Sequence, residues 1–212
     1  MKKIVIVDYG LGNLYSIAQA CTHIGYEPEI SKDKESILNA DYLILPGVGA
    51  FGIAMQYLRG ADLIEPIKKY SVSGRPLMGV CLGMQLLFDK SEEFGEHEGL
   101  GLIQGKVSRF PSVVNDLQLK VPNIGWSRIT PPENRSWKNT PLTEIEPTKD
   151  HMYFIHSYYT TPTKPENILS LTNYNDFEYT SSVVKDNIWG FQFHPEKSSE
   201  EGLTIYKNFF NI

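Results

Sequence analysis

The sequence contains little cysteine and no long apolar run. Cysteine occurs only twice in 212 residues, as Cys21 and Cys81. So few cysteines exclude a fold held together by disulfide bonds and fit a reducing compartment. The apolar opening of the chain is interrupted by Asp8 too early for a secretory signal or a membrane span. We therefore expect a soluble, cytoplasmic protein with no membrane partner.

Positive charge, phosphate loops and metal-ligand patterns are also lacking. The chain has 20 Lys and Arg against 25 Asp and Glu, a formal net charge of −5, so it has no basic footprint for nucleic acid. Gly10 and Gly12 follow the first apolar run, but no third glycine completes a dinucleotide fingerprint. Four histidines show no metal-ligand spacing: His23, His97, His151 and His156. We expect no nucleic-acid partner, no metal and no cofactor.

The first half of the chain alternates between strand-like and helix-like segments. Strands are predicted at residues 3–8, 27–31, 42–45 and 75–80, and helices at 14–24, from 36 onward, and between 51 and 70. Such alternation is typical of a parallel sheet covered by helices on both faces.

In the second half, strand follows strand. The predicted strands are residues 101–110, 117–121, 152–160, 168–174, 178–185 and 188–193, and a last helix is predicted at 200–210. We therefore expect one α/β domain over residues 1–212. Its central sheet is expected to be mostly parallel and flanked by helices, with an added antiparallel region.

The stretch GVCLGMQ at residues 79–85 carries the clearest chemical signal. It places Cys81 between a short buried strand and a segment with helical spacing that starts at Leu82. Gly79 and Gly83 relieve crowding in such a sharp turn, which is the geometry of a nucleophile elbow. Backbone N–H groups at the start of a helix favour negative charge. Cys81 is therefore a candidate nucleophile, the alternative being a buried structural cysteine.

A cysteine nucleophile needs a base, and the base needs an orienting group. His194 follows the strand-like run 188–193, and Glu196 stands two residues further on, after Pro195. A carboxylate at that spacing can reach one ring nitrogen of the histidine and fix its tautomer. Cys81, His194 and Glu196 thus form a plausible catalytic triad. By itself, the histidine also fits a turn residue and the glutamate a solvated surface group.

These segments resemble the class I (triad) glutamine amidotransferases, whose signature is a G-x-C-x-G elbow and a distal H-P-E. The similarity extends along the chain, to a branch of that family that serves histidine biosynthesis. The further matching segments are IVDYGLGNL at 6–14, PGVGAF at 46–51, GW at 125–126, HSY at 156–158 and QFHPEK at 192–197. The resemblance implies a glutaminase subunit in a heterodimer. It would hydrolyse L-glutamine and pass the ammonia to a barrel-shaped synthase (cyclase) subunit.

The resemblance also implies roles for individual residues. The catalytic residues would be Cys81, His194 and Glu196, and the oxyanion hole would consist of the backbone N–H groups of Val48 and Leu82. The positions that match glutamine-binding residues are Gly49, Gln85, Ser157 and Tyr158. The positions that match the partner-facing mouth are Asn13, Trp126, Tyr153 and Lys197. From the sequence alone, Trp126 fits a core aromatic equally well.

The chain departs from the family pattern at that mouth. The family segment P-H-x-G-W-N reads PNIGWS here, so that Asn123 replaces a histidine and Ser127 an asparagine. The family pattern would place both residues on the partner-facing surface, which leaves a second partner open: an amidotransferase that acts on sugars of surface polysaccharides. More distant alternatives are a cysteine peptidase and a catalytically silent binding subunit. The oxyanion loop together with HSY disfavours the first, and the intact triad disfavours the second.

Overall fold

The structure is a computed structural model that describes residues 2–212. The strands, in chain order, are β1 Ile4–Val7, β2 Glu29–Ser31, β3 Tyr42–Leu45, β4 Leu77–Val80, β5 Phe88–Ser91, β6 His97–Glu98, β7 Ile103–Arg109, β8 Val113–Val114, β9 Leu117–Gln118, β10 Asn123–Arg128, β11 His151–His156, β12 Tyr158–Pro162, β13 Ile168–Tyr174, β14 Phe177–Lys185 and β15 Ile188–Phe191. The helices are α1 Leu14–His23, α2 Lys34–Leu38, α3 Phe51–Gly60, α4 Ile64–Ser71, α5 Leu82–Leu86 and α6 Ser199–Phe209, with 3₁₀ turns at Pro165–Asn167 and Pro195–Lys197.

One half of the main sheet is parallel, with the strand order β2-β1-β3-β4-β15. Its four inner strands are buried at every position, because helices cover both faces. Successive residues of β1 show this directly. Ile4 and Ile6 pack in one core with residues of α1 and α6, whereas Val5 and Val7 pack in a second core with residues of α2, α3 and α4. The predicted architecture, a mostly parallel sheet flanked by helices, is confirmed.

The other half of the sheet is mainly antiparallel. β14 pairs antiparallel with β15, β13 and β12, and β12 pairs antiparallel with β7. β5 pairs parallel with β7 and antiparallel with β6. A separate hairpin consists of β10 and β11. The added antiparallel region predicted for the second half of the chain is therefore present.

The strand predicted at residues 152–160 is wrong in one respect, because it consists of two strands in different sheets. His156 pairs with Asn123 in the hairpin, whereas Tyr158 pairs with Arg109 of the main sheet. The chain changes partners at Ser157. Since both strands are rich in aromatic residues, the sequence pattern alone showed no break there.

The parallel topology determines where the candidate residues meet. The carboxyl ends of parallel strands lie along one edge of a sheet, and ligands of α/β proteins bind in crevices at that edge. Cys81 directly follows β4, His194 follows β15, and the loop at residues 46–49 follows β3. Because β3, β4 and β15 are neighbours, these three segments converge.

Candidate active site

Cys81 occupies a sharp turn between β4 and α5. Its backbone has φ 54° and ψ −112°, a conformation that non-glycine residues rarely adopt. The Cys81 N–H donates to the carbonyl oxygen of Phe191 at 2.7 Å, which anchors the turn to β15. A Cβ atom on Gly83 would lie 1.9 Å from the carbonyl oxygen of Leu45, and one on Gly79 would lie 2.8 Å from that of Gly83. The two glycines therefore let the elbow close against β3, as expected for a nucleophile elbow.

His194 and Glu196 form a buried pair. His194 Nδ1 lies 2.8 Å from Glu196 Oε1, and the two side chains are only 4% and 1% exposed. Asn13 Nδ2 donates to the same carboxylate oxygen at 3.4 Å. Burial on its own would lower the pKa of His194, but hydrogen bonds to Cys81 and Glu196 and their negative charges raise it to about 10. The raised pKa favours the imidazolium form of His194 at neutral pH.

The loop after β3 lies against the start of α5. A Cβ atom on Gly47 would lie 2.7 Å from the backbone nitrogen of Gly83. The buried Tyr9 hydroxyl donates to the carbonyl oxygen of Pro46 at 2.9 Å and fixes the beginning of the loop. This packing brings Val48 and Leu82, the residues predicted to form the oxyanion hole, to the same cavity as Cys81.

A cavity of about 410 Å³ opens above Cys81. Its lining includes every residue predicted to form the oxyanion hole or to bind glutamine, and also Asn13, His194 and Lys197. Gly49 has φ +94°, a value that favours glycine, and no atom lies within 4 Å of a Cβ built there. Gln85, which reads as an exposed helix residue from the sequence alone, is buried. The predicted residues lie together, while their individual roles remain predictions.

Two residues of this site were missed by the sequence reasoning. Glu93 lines the cavity, and its carboxylate accepts the N–H of Phe51 at 2.5 Å. Burial raises the pKa of Glu93. Gln192 is completely buried, and its Nε2 lies 3.8 Å from Cys81 Sγ. Glu93 stands in an acidic run that reads as solvated loop, and Gln192 in an apolar strand, so neither position gave a chemical signal.

The β10–β11 hairpin presents an exposed apolar face near the mouth of the cavity. Ile124, Trp126 and Ile155 are all exposed there, and the Trp126 and Tyr153 rings meet edge to face with centroids 5.8 Å apart. The Lys197 ammonium lies 5.9 Å from the centre of the Tyr153 ring. Trp126 is 50% exposed, so the alternative interpretation as a core aromatic is wrong.

The expected surface position of Asn123 is also wrong. Asn123 is only 2% exposed, and its Nδ2 donates to the Tyr179 hydroxyl at 3.1 Å and lies 3.4 Å from His156 Nε2. It faces inward because the side chains of β10 alternate across the strand, and Ile124 and Trp126 occupy its exposed positions. Ser127 is half-buried. The Asn123 replacement therefore changes the interior beneath the hairpin and not the apolar surface above it.

Two kinds of feature are absent from the described residues. Within residues 2–212, no group of three His, Cys, Asp or Glu side chains is placed to hold a metal ion. No helix in the described part of the chain is long and apolar enough to cross a membrane.

Comparisons with known proteins agree with this geometry. The family described as glutamine amidotransferase class-I matches residues 5–212. The imidazole glycerol phosphate synthase subunit HisH of Sulfurimonas denitrificans is 48% identical over 206 residues, covering 97% of this chain and 96% of the relative. The HisH subunit of Methanosarcina barkeri is 48% identical over 215 aligned residues and is matched over the full length of both chains.

Solved structures agree at the level of the fold. PurLQS from Thermotoga maritima has a TM-score of 0.74 at 21% identity, covering 100% of this chain and 99% of that chain. A structure described as a glutamine amidotransferase has a TM-score of 0.72 at 18% identity, covering 98% of this chain and 97% of that chain.

The fold, the elbow and the full-length family match define an amidotransferase of the triad class. The chain belongs to the class I glutamine amidotransferases and, within them, to the family of imidazole glycerol phosphate synthase subunit HisH. The predictions of a glutamine amidotransferase and of its histidine-biosynthesis branch are confirmed.

Proposed function

We propose that this chain hydrolyses L-glutamine to glutamate and ammonia with Cys81, His194 and Glu196. The observation that carries the proposal is the buried His194–Glu196 pair beside a nucleophile elbow. His194 and Cys81 line one cavity with Val48 and Leu82. Cysteine, histidine and a carboxylate in this arrangement can attack an amide, protonate its leaving group and then activate water.

The first half of the reaction forms a covalent intermediate. Cys81 Sγ attacks the side-chain carboxamide carbon of glutamine, and the carbonyl oxygen becomes an oxyanion. The backbone N–H groups of Val48 and Leu82 stabilise this oxyanion, each contributing about 3 kcal/mol. His194, whose raised pKa keeps it protonated, gives its proton to the departing nitrogen, and ammonia leaves.

The second half regenerates the enzyme. The remaining γ-glutamyl thioester on Cys81 is attacked by a water molecule from which His194 removes a proton. Glutamate then leaves, and Cys81 is free again. Glu196 keeps the His194 ring in one orientation throughout, because it holds Nδ1 while Nε2 handles the transferred protons.

The cavity offers complementary groups for the amino-acid end of glutamine. The α-ammonium group needs hydrogen-bond acceptors, and the half-buried Glu93 carboxylate at the cavity wall is the charged acceptor among the lining residues. Gly49, Gln85, Ser157 and Tyr158 complete the proposed binding surface. A carboxylate and Cys81 in one cavity favour a substrate that carries both an ammonium group and an amide, as glutamine does.

We further propose that the ammonia passes to a barrel-shaped synthase (cyclase) subunit bound as a heterodimer. The relatives are named as subunits of imidazole glycerol phosphate synthase, and the apolar face of the hairpin offers a docking surface beside the cavity mouth. Asn13, Trp126, Tyr153 and Lys197 are the proposed interface residues. A synthase subunit bound over the cavity mouth would keep the ammonia out of bulk water, where it would be protonated and lose its nucleophilicity.

The partner would use the ammonia to make imidazole glycerol phosphate and an aminoimidazole carboxamide ribotide in histidine biosynthesis. We propose that the complex works in the cytoplasm, because both cysteines are free thiols and catalysis needs Cys81 reduced. A glutaminase without an acceptor wastes glutamine. We therefore expect the isolated chain to be nearly inactive until the synthase subunit binds.

Glutamate release tests this proposal. Wild type and Cys81→Ala are compared, each alone and with the cognate synthase subunit and its ribonucleotide substrate. We expect release that requires Cys81 and rises steeply with the partner. Release by Cys81→Ala at the wild-type rate contradicts the chemistry. Cys81-dependent release that ignores the partner retains the glutaminase but contradicts the histidine-pathway role and favours a sugar-modifying amidotransferase as acceptor.

A further inference from the structure

A buried series of hydrogen bonds leads from the end of the hairpin to the sulfur of Cys81. Gln85 Nε2 donates to the carbonyl oxygen of Tyr158 at 3.1 Å and to Gln192 Oε1 at 2.9 Å. Gln192 Nε2 in turn lies 3.8 Å from Cys81 Sγ, within hydrogen-bonding distance for a sulfur acceptor. A continuous series of hydrogen bonds thus connects one carbonyl, two side-chain amides and the nucleophile.

The orientation of both amides follows from the first acceptor. A backbone carbonyl can only accept, so the group of Gln85 that faces Tyr158 must be its NH₂. That NH₂ also faces Gln192, which must therefore present its oxygen to Gln85. The NH₂ of Gln192 then points the other way, to Cys81. The direction of each hydrogen bond is set without reference to the sulfur.

The carbonyl at the start of this series is itself held in place. His156 Nδ1 lies 2.8 Å from the same Tyr158 oxygen, which accepts one hydrogen bond with each lone pair. The opposite ring nitrogen of His156 faces Asn123 and the Tyr179 hydroxyl at 3.4 and 3.3 Å. Since burial lowers the pKa of His156 to about 4, the ring is neutral and Nδ1 carries its proton.

We propose that Gln192 supplies the side-chain hydrogen bond that stabilises negative charge on Cys81 Sγ, with Gln85 and the Tyr158 carbonyl fixing its direction. Gln192 contacts the reacting atom, whereas Gln85 acts on the sulfur only as a positioning residue. The backbone supports this arrangement, because the Cys81 N–H donates to Phe191, the residue that precedes Gln192. The proposal rests on the proposed function only for the role of Cys81 as nucleophile.

The arrangement has a consequence for the substrate. Both amide hydrogens of Gln85 are used inside the protein, so the group that it can offer to glutamine is Oε1, an acceptor. Gln85 and Glu93 would then both accept from the α-ammonium group. The negatively charged end of glutamine must find its donors elsewhere in the cavity.

Alkylation of Cys81 by iodoacetamide, measured against pH without glutamine or partner, tests the proposal. Peptide mass spectrometry separates Cys81 from the completely buried Cys21. Gln192→Met keeps the length of the side chain and removes its donor, and we expect the midpoint of the alkylation profile to rise by about one pH unit. Gln85→Met is expected to raise it in the same direction by a smaller amount. The exposed Gln118→Met serves as the matched control and should keep the wild-type midpoint.

A second measurement needs no destabilising variant. In the wild-type chain with ¹⁵N-labelled glutamine residues, the side-chain amide resonance of Gln192 should move with pH at the alkylation midpoint and stay fixed in Cys81→Ala. An unchanged midpoint in a folded Gln192→Met, or an amide resonance that ignores the ionisation of Cys81, overturns the proposal. Because neither assay contains glutamine, such a failure is distinct from a failure to release glutamate.

Discussion

Replacing Glu196 by glutamine should disable the base while leaving the cavity intact. The variant has the same shape as the wild type, but it removes the negative charge 2.8 Å from His194 Nδ1. Glu196 does not line the cavity, so the binding surface for glutamine is unchanged. We therefore expect kcat to fall and KM to stay within a factor of two or so, the pattern of an interaction that matters after the substrate is bound.

The size of the effect follows from the hydrogen bond between His194 and Glu196. Against the effect of burial, Cys81 and Glu196 together raise the pKa of His194 from 6.5 to about 10. A hydrogen bond to a charged group contributes about 1.5–3 kcal/mol, which corresponds to roughly 10- to 150-fold in rate. A wrong ring tautomer would increase the loss to about 10⁴-fold.

Glutamate release with the synthase subunit bound, measured from pH 6 to 10.5, provides the assay. We expect kcat of Glu196→Gln to fall by at least about tenfold. Its alkaline limb should shift to lower pH, because His194 loses its proton earlier without the neighbouring charge. The exposed Glu200→Gln is the matched control and should keep the wild-type profile. A Glu196→Gln variant with wild-type kcat and pH profile would refute the proposed role of the pair.

Three further predictions concern stability and assembly. Burial lowers the pKa of His156 to about 4, so the free energy of unfolding should fall by up to ~3 kcal/mol as the pH drops from 6.5 towards 4. His156→Gln should remove this decrease, as measured by urea unfolding across the same pH range. Gly83→Ala should destabilise the fold by more than ~3 kcal/mol because its Cβ would meet the Leu45 carbonyl, whereas Gly60→Ala, in open space at the end of α3, should stabilise it by about 0.5–1 kcal/mol. Trp126→Ala should weaken association with the synthase subunit by about tenfold or more, measured by calorimetry.

Each of these predictions has a clear contrary result. A wild-type dependence of stability on pH in His156→Gln would assign the acid sensitivity to other groups. Equal melting temperatures for the two glycine variants would contradict the close approach of β3 to the elbow. The control for Trp126→Ala is Val72→Ala, since Val72 is highly exposed and lies before β4, at the end of the sheet opposite Cys81. Equal loss of binding in both would contradict the docking face.

The parallel half of the fold was predictable because the sequence pattern of its strands indicates that they are buried. β1, β3, β4 and β15 are continuous apolar runs, as expected for strands covered on both faces. The strands that were missed, such as β5 and β10, do not show this pattern. β5 has charged residues at its two central positions, and β10 has a polar residue buried and apolar residues exposed. Their formation depends on pairing partners distant in the sequence, which periodicity does not reveal.

The residues of the candidate site were also predictable only in part. Cys81, His194 and Glu196 stand in short motifs whose local geometry the sequence determines, and the structure brings them together. Glu93 and Gln192 reach the cavity and the sulfur only through long-range packing. The inward direction of Asn123 depends on the register of β10 with β11, which no local motif encodes.

Trapping the covalent intermediate tests the central claim most directly. Wild type with its synthase subunit is mixed with glutamine, quenched in acid within one turnover, digested and analysed by mass spectrometry. The account predicts a glutamyl group on the peptide that carries Cys81, none on the peptide with Cys21, and none in Cys81→Ala. A glutamyl group on another residue, or glutamate formed at the wild-type rate by Cys81→Ala, would contradict it.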